Sequence, residues 1–151
     1  MPLRRLRWVP GRPVLVVPYN ATGQKIGRRV LVARNGSREA ARAVNDALPI
    51  LRRADYVQVF SIDPEDIDSG QRLSGAAICQ HLARHDVDAE ASAARASDRQ
   101  AGDRLNAQVA NEALDVIVMG AYGHTRFRET IMGGVTRALL RHMIVPVFLS
   151  R

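Results

Sequence analysis

The residues best placed to do chemistry are glycines. Gly120 and Gly123 bracket Ala121-Tyr122, nine residues follow, and Gly133-Gly134 closes the stretch. A glycine lets backbone approach a ligand with no Cβ in the way and accepts positive φ. A helix that starts at such a pair presents unpaired N–H groups and partial positive charge, which favour an anion such as phosphate. Arg126 and Arg128 project from the same stretch and can add charge-assisted hydrogen bonds, and His124 can reach a phosphate. The stretch therefore reads as a triphosphate cradle. The plainer reading, a tight turn followed by a helix start with nothing bound, remains open at this level. No G-x-x-x-x-G-K-[ST], G-x-G-x-x-G or G-x-S-x-G pattern competes with it.

A cradle needs elements to hold it. Asp115-Val116-Ile117-Val118-Met119 leads into the glycines as a buried strand, and a short helix is expected from Val135 to Met143. Arg29-Val30-Leu31-Val32-Ala33 has the same continuous apolar character, expected of a strand covered on both faces. Asn35-Gly36 breaks it, and Ser37 can cap a helix in which Ala40, Val44, Ala47, Leu48 and Leu51 recur at helical spacing. Pro49 should kink or end that helix. Tyr56 to Ile62 is the second strand, and Gln71 to Arg84 a helix carrying Leu73, Ala76, Ala77, Cys79 and Leu82. Val87 to Ala93 is a weakly alternating third strand, residues 100–113 a helix, and Val145 to Leu149 the last strand. Alternating strands and helices imply right-handed crossovers and a doubly wound, parallel α/β sheet. Ligands in such sheets sit at the carboxyl ends of strands, where strand order reverses. The stretches after Ala33 and Met119 would meet there if their strands pair.

Composition limits the remaining choices. The 151 residues suit one domain, 46% hydrophobic and 25% charged. The net charge of +7 is local: residues 1–38 hold nine basic residues and no acid, leaving thirteen basic against fifteen acidic residues beyond. That basic stretch lacks the interleaved aromatics of a stacking platform, which argues against nucleic-acid binding. No run approaches the ~18 apolar residues of a membrane helix. The apolar run Val14 to Val17 is boxed by Pro13 and Pro18 and is too short for an export leader, so the cytoplasm is the expected location. Cys79 is the lone cysteine and is expected to pack as a small apolar residue. His81 and His85 read as a surface pair rather than metal ligands, the acidic stretch Asp63 to Asp68 as a solvated connection, and His142 as a helix-terminus cation. Pro13-Val14-Leu15-Val16 echoes Pro146-Val147-Phe148-Leu149. Two readings of the echo stand: a chance match of four residues, or an extra edge strand in residues 1–25 left from a preceding, similar domain.

Taken together, Gly120-x-x-Gly123, nine residues and Gly133 resemble the nucleotide-binding signature of universal stress proteins. Arg141-His142, Val145-Pro146-Val147 and the opening Val30 to Ser37 resemble the same family, over residues 26–151. The resemblance implies an adenine nucleotide alpha hydrolase-like sheet of five parallel strands in the order 3-2-1-4-5, here with an added N-terminal edge strand. It implies a stress-response protein binding ATP, ADP or AMP, with Mg2+ only alongside the nucleotide. The alternative is a nucleotide-free, dimeric interaction module. Ala33 and Ser61 match positions lining the adenine pocket, and Asn35 stands where ATP-binding members carry an aspartate. Met119, Gly120 and Gly123 match the loop, followed by His124 and Arg126; Gly133, Val135 and Thr136 match the phosphate-binding helix start. Gly134 replaces the family's serine or threonine, removing a hydroxyl donor; a hydrogen bond to a charged group is worth roughly 1.5–3 kcal/mol. No catalytic residue or metal ligand is assigned, and enzymatic activity would be at most a weak ATPase. The family also implies a homodimer through the last strand, Val145 to Leu149; here Pro13 to Pro18 is expected to share in that pairing or to cover the edge instead, within the chain or from the partner. In tandem members of the family this chain would correspond to the second half.

Overall fold

Strand β2 (Arg29–Arg34) and strand β5 (Val116–Gly120) form the middle of the molecule, and their sequences say why. Val30, Leu31, Val32 and every residue of β5 are buried, so neither strand has a face for solvent. The computed structural model describes residues 12–21, 23–34, 38–63, 75–120 and 134–150. Around the central pair stand β1 (Val14–Val16), β3 (Tyr56–Asp63), β4 (Glu90–Arg95) and β6 (Val147–Ser150). One six-stranded sheet results, in the order β1-β6-β5-β2-β3-β4. The pairs β2–β3, β2–β5, β3–β4 and β5–β6 are parallel, and β1 lies antiparallel to β6. Leaving β1 aside, the five parallel strands follow the expected 3-2-1-4-5 order. The expected extra edge strand is β1.

Four helices complete the crossovers: α1 (Arg38–Leu51), α2 (Gly75–Ala83), α3 (Asp98–Asn111) and α4 (Gly134–Arg141). On one face of the sheet Val30, Val32, Val57, Val59, Val116, Val118 and Phe148 pack against Val44, Ala47 and Leu51 of α1 and Leu82 of α2. On the other, Leu31, Phe60, Ile117, Met119, Val147 and Leu149 pack against Leu105 and Val109 of α3 and Leu139 and Leu140 of α4. Strand alternation thus feeds two separate aliphatic layers. Pro49 is accommodated in the last turn of α1, which ends two residues later at Leu51.

Three expectations are corrected. The third parallel strand begins at Glu90, not Val87; Val87 is buried in the core ahead of it. This strand is an edge whose residues are exposed or half-buried, so its apolar pattern is weak. The last helix runs Gly134–Arg141, and the third begins at Asp98. Apart from these, β1 covers the outer edge of β6 within the chain, one of the two placements expected for residues 13–18.

Candidate functional site

The carboxyl ends of β2 and β5 lie side by side, with Val32 opposite Val118. From β2 the chain crosses to β3 on one side; from β5 it crosses to β6 on the other. A reversal of this kind marks the place where sheets of this type bind ligands. Ala33 and Met119 follow that pair and face the layer formed by α3 and α4. Gly120 ends β5 opposite Ser150 of β6, and Ser61 lies opposite Arg34. Gly134 opens α4, Val135 follows it, and Thr136 in its first turn is 3% exposed. Asn35, Gly123, His124, Arg126 and Gly133, together with most of the acidic stretch, lie outside the described residues.

Ser61 points to the opposite face from Ala33 and Met119. Its hydroxyl is buried and has no hydrogen-bond partner among the described residues. Gly75, which opens α2, lies so close that an added Cβ would stand 3.3 Å from Ala91 Cβ and 3.6 Å from Ser61 Oγ. The expected site residues therefore share one rim but not one face. A ligand touching Ala33, Met119 and Ser61 together must straddle the strand ends.

The sequence reading missed a polar contact at this rim. The hydroxyl of Ser150, buried at the end of β6, donates to Asp46 Oδ2 of α1. Its signal is faint: an acid beside the apolar stripe of Ala43, Val44 and Ala47, and a serine ending an apolar strand. The opposite end of the sheet holds the other contacts it missed. Asp115 takes the backbone N–H groups of Gly27, Arg28 and Arg29. Arg29 lies 4.4 Å from the Tyr56 ring centre, and Tyr56 donates to Glu90 while accepting from Gln58. The Gln108 side-chain amide of α3 donates to Gln58 Oε1 at 2.8 Å.

The perturbed titrations also lie away from the rim. Burial, reinforced by the hydrogen bond to Glu90, pushes the Tyr56 phenol up. Burial pushes the Cys79 thiol up, leaving little thiolate to react. The hydrogen bond to Asp55 raises Arg28, but that pair is solvent-exposed and contributes little stability. His81 Nε2 meets Asn45 Oδ1 at 2.9 Å and its ring packs edge-on against His85. Among the described residues no group of three or more His, Cys, Asp or Glu is arranged to hold a metal ion. No helix among them is long and apolar enough to cross a membrane.

Solved structures share this fold. A universal stress protein from Archaeoglobus fulgidus DSM 4304 superposes with a TM-score of 0.70 at 19% identity, covering 92% of this chain and 49% of that one. This chain thus spans about half of that protein. A universal stress protein from Lactobacillus plantarum gives 0.62 at 16% identity, over 85% of this chain and 100% of that one. A universal stress protein solved in complex with cAMP gives 0.60 at 20% identity, over 82% and 96%. No curated protein sequence matches this chain. The sequence model of the universal stress protein family matches residues 27–151, which takes in all five parallel strands and all four helices. The chain belongs to the universal stress protein family.

Proposed function

We propose that this chain is a cytoplasmic stress protein that binds an adenine nucleotide at the carboxyl rim of β2 and β5. The observation that carries the reading is the reversal of strand order there, with Gly120 ending one strand and Gly134 starting the helix that follows. In this reading Ala33, Asn35 and Ser61 take the adenosine end, and the buried Ser61 hydroxyl, without a partner among the described residues, gains one. Met119, Gly120, Gly123, His124, Arg126 and Gly133 shape the phosphate path. Backbone N–H groups at Gly134 and Val135 and the Thr136 hydroxyl receive the phosphates. Mg2+ would enter on phosphate oxygens, and no catalytic residue is assigned. The cAMP complex of a related fold supports the ligand class, an adenine nucleotide.

The same proposal divides the chain into an extension, residues 1–25, and the stress-protein domain, residues 26–151. The extension derives from the last strand of a preceding domain, and copies pair along the β6 side of the sheet.

Calorimetry with ATP, ADP, AMP and cAMP, each with and without Mg2+, tests the binding. Saturable heat is expected with at least one nucleotide, weakened roughly 10–100-fold by Thr136→Val through loss of one hydrogen bond to a charged group. Absence of heat at millimolar nucleotide overturns the reading in favour of a nucleotide-free interaction module. Gly134, which offers phosphate no hydroxyl, is the residue that favours that second reading.

A further inference from the structure

The run that leaves β2, Ala33-Arg34-Asn35-Gly36-Ser37, holds one charge, and it is positive. Arg34 is the last residue of β2, half-buried, and stands directly opposite Ser61 of β3, as Val32 stands opposite Val59. Side chains alternate along each strand, so aligned partners in this ladder share a face. Val32 and Val59 belong to the layer under α1 and α2, which puts Arg34 and Ser61 on that side of the rim.

Three features meet there. The Ser61 hydroxyl is buried and has no partner among the described residues, a state that costs free energy until something bonds it. Gly75 opens α2 beside it, since an added Cβ would stand 3.6 Å from Ser61 Oγ, and the first turn of α2 contains no acid. The N–H groups of a helix start favour an anion. Arg34 brings a guanidinium, whose fork of donors matches phosphate. The acid of β3 on this side, Asp63, stands opposite Arg95 of β4. Hydroxyl, helix start and arginine therefore call for the same kind of ligand group, an anion rich in acceptor oxygens.

In the nucleotide reading proposed above, this corner lies at the adenosine end, away from the helix that receives the 5′-phosphates. In sheets that bind dinucleotides, an acid near the ribose hydrogen-bonds its 2′-hydroxyl, whereas an arginine there accommodates a phosphate. We infer that Arg34 and Ser61 select an adenine nucleotide that carries a further phosphate on a secondary ribose oxygen, the 2′ or the 3′. Arg34 pairs with that phosphate, the Ser61 hydroxyl donates to it, and the start of α2 adds partial positive charge. A plain ribose hydroxyl uses neither the charge of Arg34 nor the field of the helix. The inference rests on nucleotide binding at the β2–β5 rim and adds the class of nucleotide bound.

Calorimetry of the full chain with AMP, adenosine 2′,5′-bisphosphate and adenosine 3′,5′-bisphosphate tests it. One bisphosphate is expected to bind roughly 10–100-fold more tightly than AMP, the factor for a hydrogen bond to a charged group, and the better of the two identifies the oxygen. Arg34→Gln is expected to erase most of that ratio, Arg34→Lys to keep part of it because the charge stays, and Ser61→Ala to reduce it. The ratio, rather than either affinity, is the readout, since a variant that merely disturbs the rim weakens AMP and bisphosphate alike. Such a parallel loss in Arg34→Gln, or a preference that survives it, overturns the inference. AMP binding as tight as that of both bisphosphates overturns it alone and leaves nucleotide binding standing. Absence of heat with every nucleotide overturns both readings together.

Discussion

At Asp115 one carboxylate accepts three backbone N–H groups, from Gly27 at 2.8 Å, Arg28 at 2.9 Å and Arg29 at 3.0 Å. Its own N–H returns a bond to the Arg29 carbonyl. These bonds fix the start of β5 against the start of β2, so the two strands reach their far ends in step. Gly27 makes the turn feasible: its φ is +90°, and an added Cβ would stand 3.2 Å from Ile50 Cγ2. Hydrogen bonds to a charged group each contribute about 1.5–3 kcal/mol, less where water substitutes. Asp115→Ala is therefore expected to cost about 2–3 kcal/mol in urea unfolding, and Asp115→Asn, which keeps one acceptor, about half of that. Nothing in the sequence announces this contact, because the acceptor is an ordinary strand-opening aspartate and its donors are backbone groups 86–88 residues away. Ser150 and Asp46 were hidden for the same reason, 104 residues apart. The glycine spacing from Gly120 to Gly134 stands out in the sequence because glycine is the residue that a tight turn or a close backbone approach favours.

Elements were legible in proportion to their burial. β2 and β5 announce themselves as unbroken apolar runs, whereas β4 shows half-buried Ser92 and Ala94 between exposed neighbours and was placed three residues early. The contact between α3 and α4 was not legible at all. It rests on Gly102, where an added Cβ would meet the Leu139 backbone nitrogen at 3.3 Å and Ala138 Cβ at 3.5 Å. Asn106 strengthens the same contact by donating to the His142 carbonyl. Through this packing α3 sets the position of α4, and hence of Thr136 at the rim. Two opposing terms decide the effect of a substitution. Alanine gains about 1 kcal/mol of helix propensity over glycine, which offsets a contact relieved by shifts of a few tenths of an ångström. Gly102→Ala is accordingly expected to be near neutral in thermal unfolding. Gly102→Leu cannot be relieved that way and should cost about 1–3 kcal/mol by overpacking. It should also weaken nucleotide binding in the calorimetric assay by displacing the first turn of α4, although Gly102 itself is not among the proposed ligand contacts.

The charge of the whole molecule gives its alkaline stability an unusually clear reading. All but one of the 22 basic residues are arginine, and arginine stays protonated beyond pH 12. Between about pH 8.5 and 11 the positive background is therefore nearly constant. Among the described residues the fold shifts Cys79 and Tyr56, and both upward. Burial, followed by the charge of Asp88, raises Cys79 above 9.0; burial, followed by the Glu90 hydrogen bond, raises Tyr56 above 10.0. In each case the folded chain holds its proton at a pH where the unfolded chain has released it, so the unfolded state binds fewer protons and stability falls as pH rises. The contribution is complete below the unfolded value and is lost through the folded one. Unfolding free energy measured by urea is therefore expected to start declining near pH 9 and to steepen above pH 10. Cys79→Ala should remove the earlier part of the decline. Tyr56→Phe should flatten the later part while lowering stability at every pH by about 0.5–1.5 kcal/mol for its lost hydrogen bonds. A decline unchanged in both variants would place the loss elsewhere in the molecule. The slope is the informative quantity, because a merely structural role for either side chain would shift the whole curve without altering its shape.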